Sequence, residues 1–298
     1  MNHESASYKV FKVCNYIFMC IIFVICIFPY LNVLAKALND GNDTMRGGIT
    51  IFPRVFTWQN FSTLLKDTSM YSAAVVTIVR VVVGTLLGLS FQFAAGYALS
   101  HEDLVGRKKF MLFIIIPSFI SGGTIPTYIL FSASGLLDNF LVYILPAVMS
   151  YYNVIVIRSY IESSVPKSLG EAASLEGAGE LRILWSIVLP LCKPILATVA
   201  LWIAVGHWND WSTTMYYITD ERLFTLQYKL MEVIKESERI QNLLREAQAA
   251  GTAAEINVRT TPDALISAQV IITTVPIILV YPWLQKYFVK GVTLGSVK

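Results

Sequence analysis

The side chains that could do chemistry in this chain are few, and they sit in unusual places. Arg80 lies within a long apolar run, and the pentad His207-Trp208-Asn209-Asp210-Trp211 closes another. Tyr128, two residues after Pro126, is a third polar-tipped group of this kind. An ionisable group inside an apolar segment is costly to keep, so it is a functional candidate by default. The residue types point to recognition and away from covalent chemistry. Aromatic rings beside a planar amide and a carboxylate suit a sugar-like ligand, stacking on its C–H faces and hydrogen-bonding its hydroxyls. Arg80, Tyr128, Trp208, Asn209 and Asp210 are therefore candidates for a solute path. The plainer reading makes the aromatics an interfacial belt, because Trp concentrates at that depth of a bilayer. Arg80 then becomes a structural charge satisfied by backbone carbonyls or a neighbouring helix. His207 has no carboxylate at catalytic spacing and supports no acid–base step. Cys14, Cys20, Cys26 and Cys192 share no metal-ligand spacing with His or with one another. They read as buried small hydrophobes, and no catalytic or metal site is expected.

The elements that must hold these groups follow from composition. Hydrophobic residues make up 55% of the 298 and charged residues only 14%, against about 25% charged in soluble domains. The apolar residues come in blocks of the length a helix needs to cross a hydrocarbon core of about 30 Å. Six spans are expected, near residues 13–35, 71–99, 110–131, 140–157, 194–211 and 264–284. The first outruns the apolar core of a signal peptide, about 7–15 residues, and reads as an uncleaved anchor. Lys and Arg set the orientation. Arg107, Lys108 and Lys109 follow the second span; Arg158, Lys167, Arg182 and Lys193 follow the fourth; Lys286, Lys290 and Lys298 lie at the C-terminal end. The loop after the third span has no Lys or Arg. Both termini and these loops are placed in the cytoplasm. The predicted organisation is an anchor helix with an external connector (1–70), a core (71–290) and a cytoplasmic tail (291–298). A net charge of +3, with no basic stripe outside the loops, gives no case for nucleic-acid binding.

Two segments outside the spans have defined character. Residues 212–263 carry Leu226, Leu230, Val233, Ile240, Leu244 and Ala247 near helical spacing among many charges, with Gly251 as a plausible stop. This predicts an external amphipathic helix, either packed on its own subunit or presented to an external partner. Residues 161–190 read as helix, break, helix. Ser168 and Glu171 have the spacing of a capping box, Ala172 and Ala173 keep one side thin, and Gly177 and Gly179 permit a sharp turn. A second helix starts at Glu180, and Pro190 and Pro194 mark entry to the fifth span. Such a helix suits docking into a groove on a partner.

The full pattern Glu171-Ala172-Ala173, Gly177, Ile187-x-Leu189-Pro190 resembles the EAA motif of the permease subunits of binding-protein-dependent ABC importers. The tail 285–298, with Phe52-Pro53, Phe56-Thr57 and Asn60-Phe61, is similar to the carbohydrate-uptake (MalG-like) group, most like its LplC-type branch. The resemblance implies an all-α membrane protein with the six-helix, MetI-like architecture of a type I ABC importer permease. It implies alternating-access translocation of oligosaccharides across a bacterial cytoplasmic (inner) membrane. It also implies a second homologous permease subunit, two ATPase subunits that carry the ATP and Mg, and an extracellular or periplasmic solute-binding protein. Glu171, Ala172, Ala173, Gly177, Ile187, Leu189 and Pro190 then belong to the helix that couples to the ATPase. The chain has no Gly-x-x-x-x-Gly-Lys-Ser/Thr phosphate loop of its own. The MalG-like pattern does not require the charged stretch 220–259. Alternatives are an importer permease for another solute class, or an ion-coupled secondary transporter, which needs acidic groups in mid-span and internal repeats. A membrane enzyme would need a His/Asp/Glu cluster at one interface.

Overall fold

The computed structural model describes residues 6–120, 122–249 and 261–294. Among them the chain is helical, with no strand beyond an isolated bridge between Asn39 and Phe56. The helices are α1 (Ala6–Ala37), α2 (Gly41–Met45), α3 (Gln59–Lys66), α4 (Thr68–Ser100), α5 (Arg107–Ile115), α6 (Thr124–Ala133) and α7 (Tyr151–Ser164). They continue with α8 (Lys167–Leu175), α9 (Glu180–Leu191), α10 (Lys193–Asn209), α11 (Ser212–Tyr217), α12 (Leu226–Ala249) and α13 (Pro262–Leu294).

Three helical stretches among the described residues are long and apolar enough to cross a membrane alone: Ser7–Ala37, Thr68–Ser100 and Pro262–Val280. Three more crossings exist only if bent pairs count as single spans. The third expected span is divided between α5 and α6, where Pro117, Gly123 and Pro126 remove donors or open the backbone to φ +83°. The fourth starts as 3₁₀ turns at Phe140–Tyr143 and around Pro146, then bends 45° into α7. The fifth is α10, reached from α9 through an 86° bend between Pro190 and Pro194. The wide-turned stretch Leu184–Val188 lies inside α9. The amphipathic helix expected within residues 212–263 is present as α12; its expected stop at Gly251 lies outside the described residues.

The chain divides into two compact units. One comprises Met1–Thr68 and Leu230–Val275. Its core joins the last turns of α1 to α3 and the first half of α13, through Ala37, Leu64, Ala268 and Ile271. Asn60 donates to the carbonyls of Ala37 and Asn39 at 2.9 Å and thereby folds the connector back onto the end of α1. No residue of the most apolar stretch of α1 is buried within the chain, and Cys14, Cys20 and Cys26 are exposed. Of the four cysteines expected to be buried, only Cys192 is.

The other unit comprises Ser69–Lys229 and Pro276–Lys298. Its main core runs through α4, α7, α9 and α10, with Phe93, Tyr97, Ile157, Ile183, Val188, Val199 and Ile203. A row of glycines on α4 makes the approach close. A Cβ on Gly84 would lie 2.3 Å from His207 Nε2, and one on Gly96 would lie 2.7 Å from Ile157 Cγ2. Small residues four apart let membrane helices pack backbone to backbone.

Candidate functional site

In the segment between α7 and α10, α8 ends in a Schellman motif. Ala178 N donates to Ala173 O at 2.9 Å and Gly177 N to Ser174 O at 3.0 Å, with Gly177 at φ +84°. No neighbour lies within 4 Å of a Cβ built there, so the backbone alone demands glycine. The start of α8 differs from the capping-box expectation. Pro166 occupies the cap position with no side-chain cap bond, and Ser168 falls inside the first turn. Val165 is extended, as a residue before proline prefers, so the helix starts directly after Pro166 without Ser168.

The motif residues divide between two faces. Ala173, Ile187 and Leu189 pack on the main core, beside Ala178. Glu171, Ala172, Gly177 and Pro190 face outward. Between them stands uncovered apolar surface: Leu175 is 90% exposed and Leu181 74%. A cavity of about 680 Å³ opens beside α8, lined in part by Glu102, Glu162, Lys167, Glu171 and Glu180. Across it Lys167 bonds Glu102 at 2.7 Å, which holds the Glu102 carboxyl below its ordinary range and raises the Lys167 ammonium.

The structure brings two solute-path candidates together. Arg80, 3% exposed, donates to the Asp210 carbonyl at 3.0 Å and forms an ion pair with its carboxylate. The guanidinium lies 4.4 Å from the Tyr143 ring centroid. Asp210 also accepts from Ser212 Oγ at 2.8 Å and Thr213 N at 3.1 Å, which starts α11. Tyr143 continues the network through Thr214 at 2.8 Å to Thr225 at 3.1 Å. Arg80 is thus held by an aspartate as well as a carbonyl.

A polar cavity of about 410 Å³ adjoins this pair, lined in part by Arg80, Gln92, Asn153, Trp202, His207 and Asp210. Gln92, Asn153 and Trp202 were not expected from the sequence. Asn153 donates to Gln92 Oε1 at 2.9 Å, and Gln92 to Val148 O at 2.9 Å. Being uncharged, these amides escape a search for ionisable groups, although Gln92 lies mid-helix in a strongly apolar run. The other candidates lie outside this cavity. Trp208 packs beside Met70, Ala73 and Leu226, Asn209 is exposed, and Tyr128 is half exposed with its ring stacked 6.3 Å from Tyr217.

The described residues thus form apolar helices of membrane-spanning length, an exposed helix–turn–helix between α7 and α10, and a cavity bordered by Arg80, Gln92, Asn153, His207 and Asp210. Residues 1–294 match the family described as "Binding-protein-dependent transport system inner membrane component", and the chain belongs to it. Members are permease subunits of ABC transporters; they are not catalytic themselves and work with ATPase and binding-protein partners. The chain is 33% identical to "Protein LplC" of Bacillus subtilis, over 99% of this chain and 97% of that one. It is 29% identical to the polygalacturonan/rhamnogalacturonan transport system permease protein YtcP of the same organism, over 97% and 99%. A solved structure of a bacterial ABC transporter involved in importing the acidic polysaccharide alginate superposes with a TM-score of 0.83 at 27% identity, covering 97% of this chain and all of that one.

Proposed function

We propose that this chain is one permease half of an oligosaccharide importer of the bacterial cytoplasmic membrane, working with a second homologous permease and two ATPase subunits. A solute-binding protein delivers cargo from outside. ATP and Mg act in the ATPase subunits, and α8 docks on one of them. The observation that carries this is the exposed surface of α8 and the turn after it. Glu171, Leu175 and Leu181 stand uncovered around a turn that only glycine adopts without strain. Closure of the ATPase dimer draws the two docking helices together, and the spans rock between outward-open and inward-open states. The termini lie in the cytoplasm, and α12 lies outside, where it meets the binding protein. The division 1–70, 71–290 and 291–298, with the docking segment 161–190 and the insertion 212–263, follows from this orientation.

Arg80, Gln92, Asn153, Trp202 and Asp210 border the solute path, and Tyr128, Trp208 and Asn209 line its approach. The relatives' names support a carbohydrate cargo, and two of them concern acidic polysaccharides. Because Asp210 neutralises Arg80, this cavity holds no free arginine for an acidic sugar. Uptake of oligogalacturonate against maltodextrin by proteoliposomes distinguishes acidic from neutral cargo. Coupling is tested by Glu171→Ala and Gly177→Val in the reconstituted complex. Forcing an L-residue to φ +84° costs about 1–2 kcal/mol, roughly tenfold in the correctly formed turn. Binding-protein-stimulated ATP hydrolysis should fall at least that far, with membrane insertion intact. Normal coupled hydrolysis in both variants would exclude α8 as the docking helix.

A further inference from the structure

One side-chain contact links α4 to the joint between α8 and α9. Tyr97, 9% exposed, sits in the main core with Ile161, Ile183 and Leu184. Its hydroxyl donates to Glu180 Oε2 at 2.7 Å. Glu180 is the first residue of α9, two positions beyond the Gly177–Ala178 end of the Schellman motif. The edge of the His101 ring meets the Tyr97 ring at 4.7 Å. Next to Tyr97, Gly96 seats α4 against Ile157 so closely that no Cβ fits. The neighbouring Lys167–Glu102 pair is about two-thirds exposed on each side, and such pairs hold little. The Tyr97–Glu180 bond is part-buried, with its donor in the core, and its acceptor is charged, so it holds more than that surface pair.

Arg80, Gly84, Gly88, Gln92, Phe93, Gly96 and Tyr97 are all buried positions of α4. They form a nearly continuous contact line from the polar cavity to the joint, about 26 Å for the 17-residue step from Arg80 to Tyr97 at 1.5 Å per residue. We propose that Tyr97 is a positioning residue for energy coupling. Through Glu180 it fixes the α8–α9 joint to α4, the helix that also lines the solute cavity, so a shift of the docking helix moves the cavity wall. This rests on the reading of α8 as the docking helix.

The test uses the complete complex in nanodiscs, with its ATPase subunits and binding protein. Tyr97→Phe keeps the ring and removes only the hydroxyl. It should lower kcat for ATP hydrolysis roughly tenfold, the scale of one lost charge-assisted hydrogen bond. KM for ATP should not change, because the nucleotide sits on other subunits. Glu180→Gln keeps an acceptor oxygen but not its charge and should fall between the native chain and Tyr97→Phe; Glu180→Ala should match Tyr97→Phe. A second readout needs no turnover. Spin labels on Val105→Cys and Arg182→Cys, both exposed, in a chain with its native cysteines replaced, should give one narrow distance. The distribution should broaden in Tyr97→Phe. Unchanged kcat together with an unchanged distance distribution overturns the proposal. Glu171→Ala run in parallel separates the causes. If it is silent too, the docking reading fails; if it is inactive while Tyr97→Phe is normal, only the role of Tyr97 fails.

Discussion

Removing Arg80 should cost less stability than removing Asp210, although the two form one ion pair. The asymmetry comes from what each leaves behind. In Arg80→Ala the orphaned carboxylate keeps Ser212 Oγ at 2.8 Å, Thr213 N at 3.1 Å and Thr213 Oγ1 at 2.5 Å, and its side chain is 22% exposed. In Asp210→Ala the orphaned guanidinium is 3% exposed, and of the contacts described above it keeps a backbone carbonyl and the Tyr143 ring face. Breaking a buried pair by removing one partner costs about 3–5 kcal/mol. Arg80→Ala should fall near the lower end and Asp210→Ala near the upper. A desolvated cation–π contact offsets only about 2 kcal/mol of the latter. The double variant leaves neither charge unpaired, so it should cost less than the sum of the singles by about 2 kcal/mol, within the range for residues in direct contact. The assay is reversible denaturant unfolding in mixed micelles of fixed composition. Equal or reversed costs for the two single variants would refute the reasoning. So would a cycle that is additive to within about 0.5 kcal/mol, the behaviour of independent sites.

The glycine row of α4 gives a steric prediction. Gly84→Ala places a methyl group 2.3 Å from the Nε2 atom of buried His207, so it should destabilise by about 1–3 kcal/mol in thermal unfolding, the usual cost of overpacking. Adding His207→Ala should restore most of that, whereas Gly88→Ala meets only ordinary contacts beyond 3.4 Å and should be near neutral. A pH prediction concerns Asp138, which bonds the Thr219 backbone N–H and hydroxyl and the Asp220 N–H; these donors hold its carboxyl below the usual carboxylate range. A depressed folded pKa means the added stability is full above the unfolded value, about 3.9, and is lost as pH falls through the folded one. Exchange of the Thr219 and Asp220 amides, compared with Asp138→Asn at each pH, should be slower in the native chain at neutral pH and converge with the variant only in acid.

The long helices α4 and α13 were legible because a block of apolar residues has few ways to satisfy its backbone in lipid except as a helix. The break at Gly177 was legible for a related reason: the residue pattern and the backbone requirement coincide at one position. Elsewhere the sequence carries the length of a span but not its direction. Hydropathy averaged over residues 140–157 is indifferent to whether the chain runs straight or turns as 3₁₀ helix at Pro146, and only the proline hints at the bend. At α8 two start signals competed. Pro166, with φ near −62°, sets the backbone without needing any side-chain acceptor, so the Ser168–Glu171 pattern goes unused. The candidate cavity was half legible. Arg80 and Asp210 stand out as charges, but their pairing spans 130 residues, and nothing local to either names the other. Gln92 and Asn153 pair across 61 residues and carry no charge at all. What the sequence did hold, unused, was Gly84-x-x-x-Gly88. Two glycines four apart in an apolar helix mark a face that another helix must approach closely, and here that helix is α10, which presents His207 and Ile203. Arg80 lies one turn before that row and Asp210 follows His207 by three residues, so the close approach of these two helices sets the ion pair side by side.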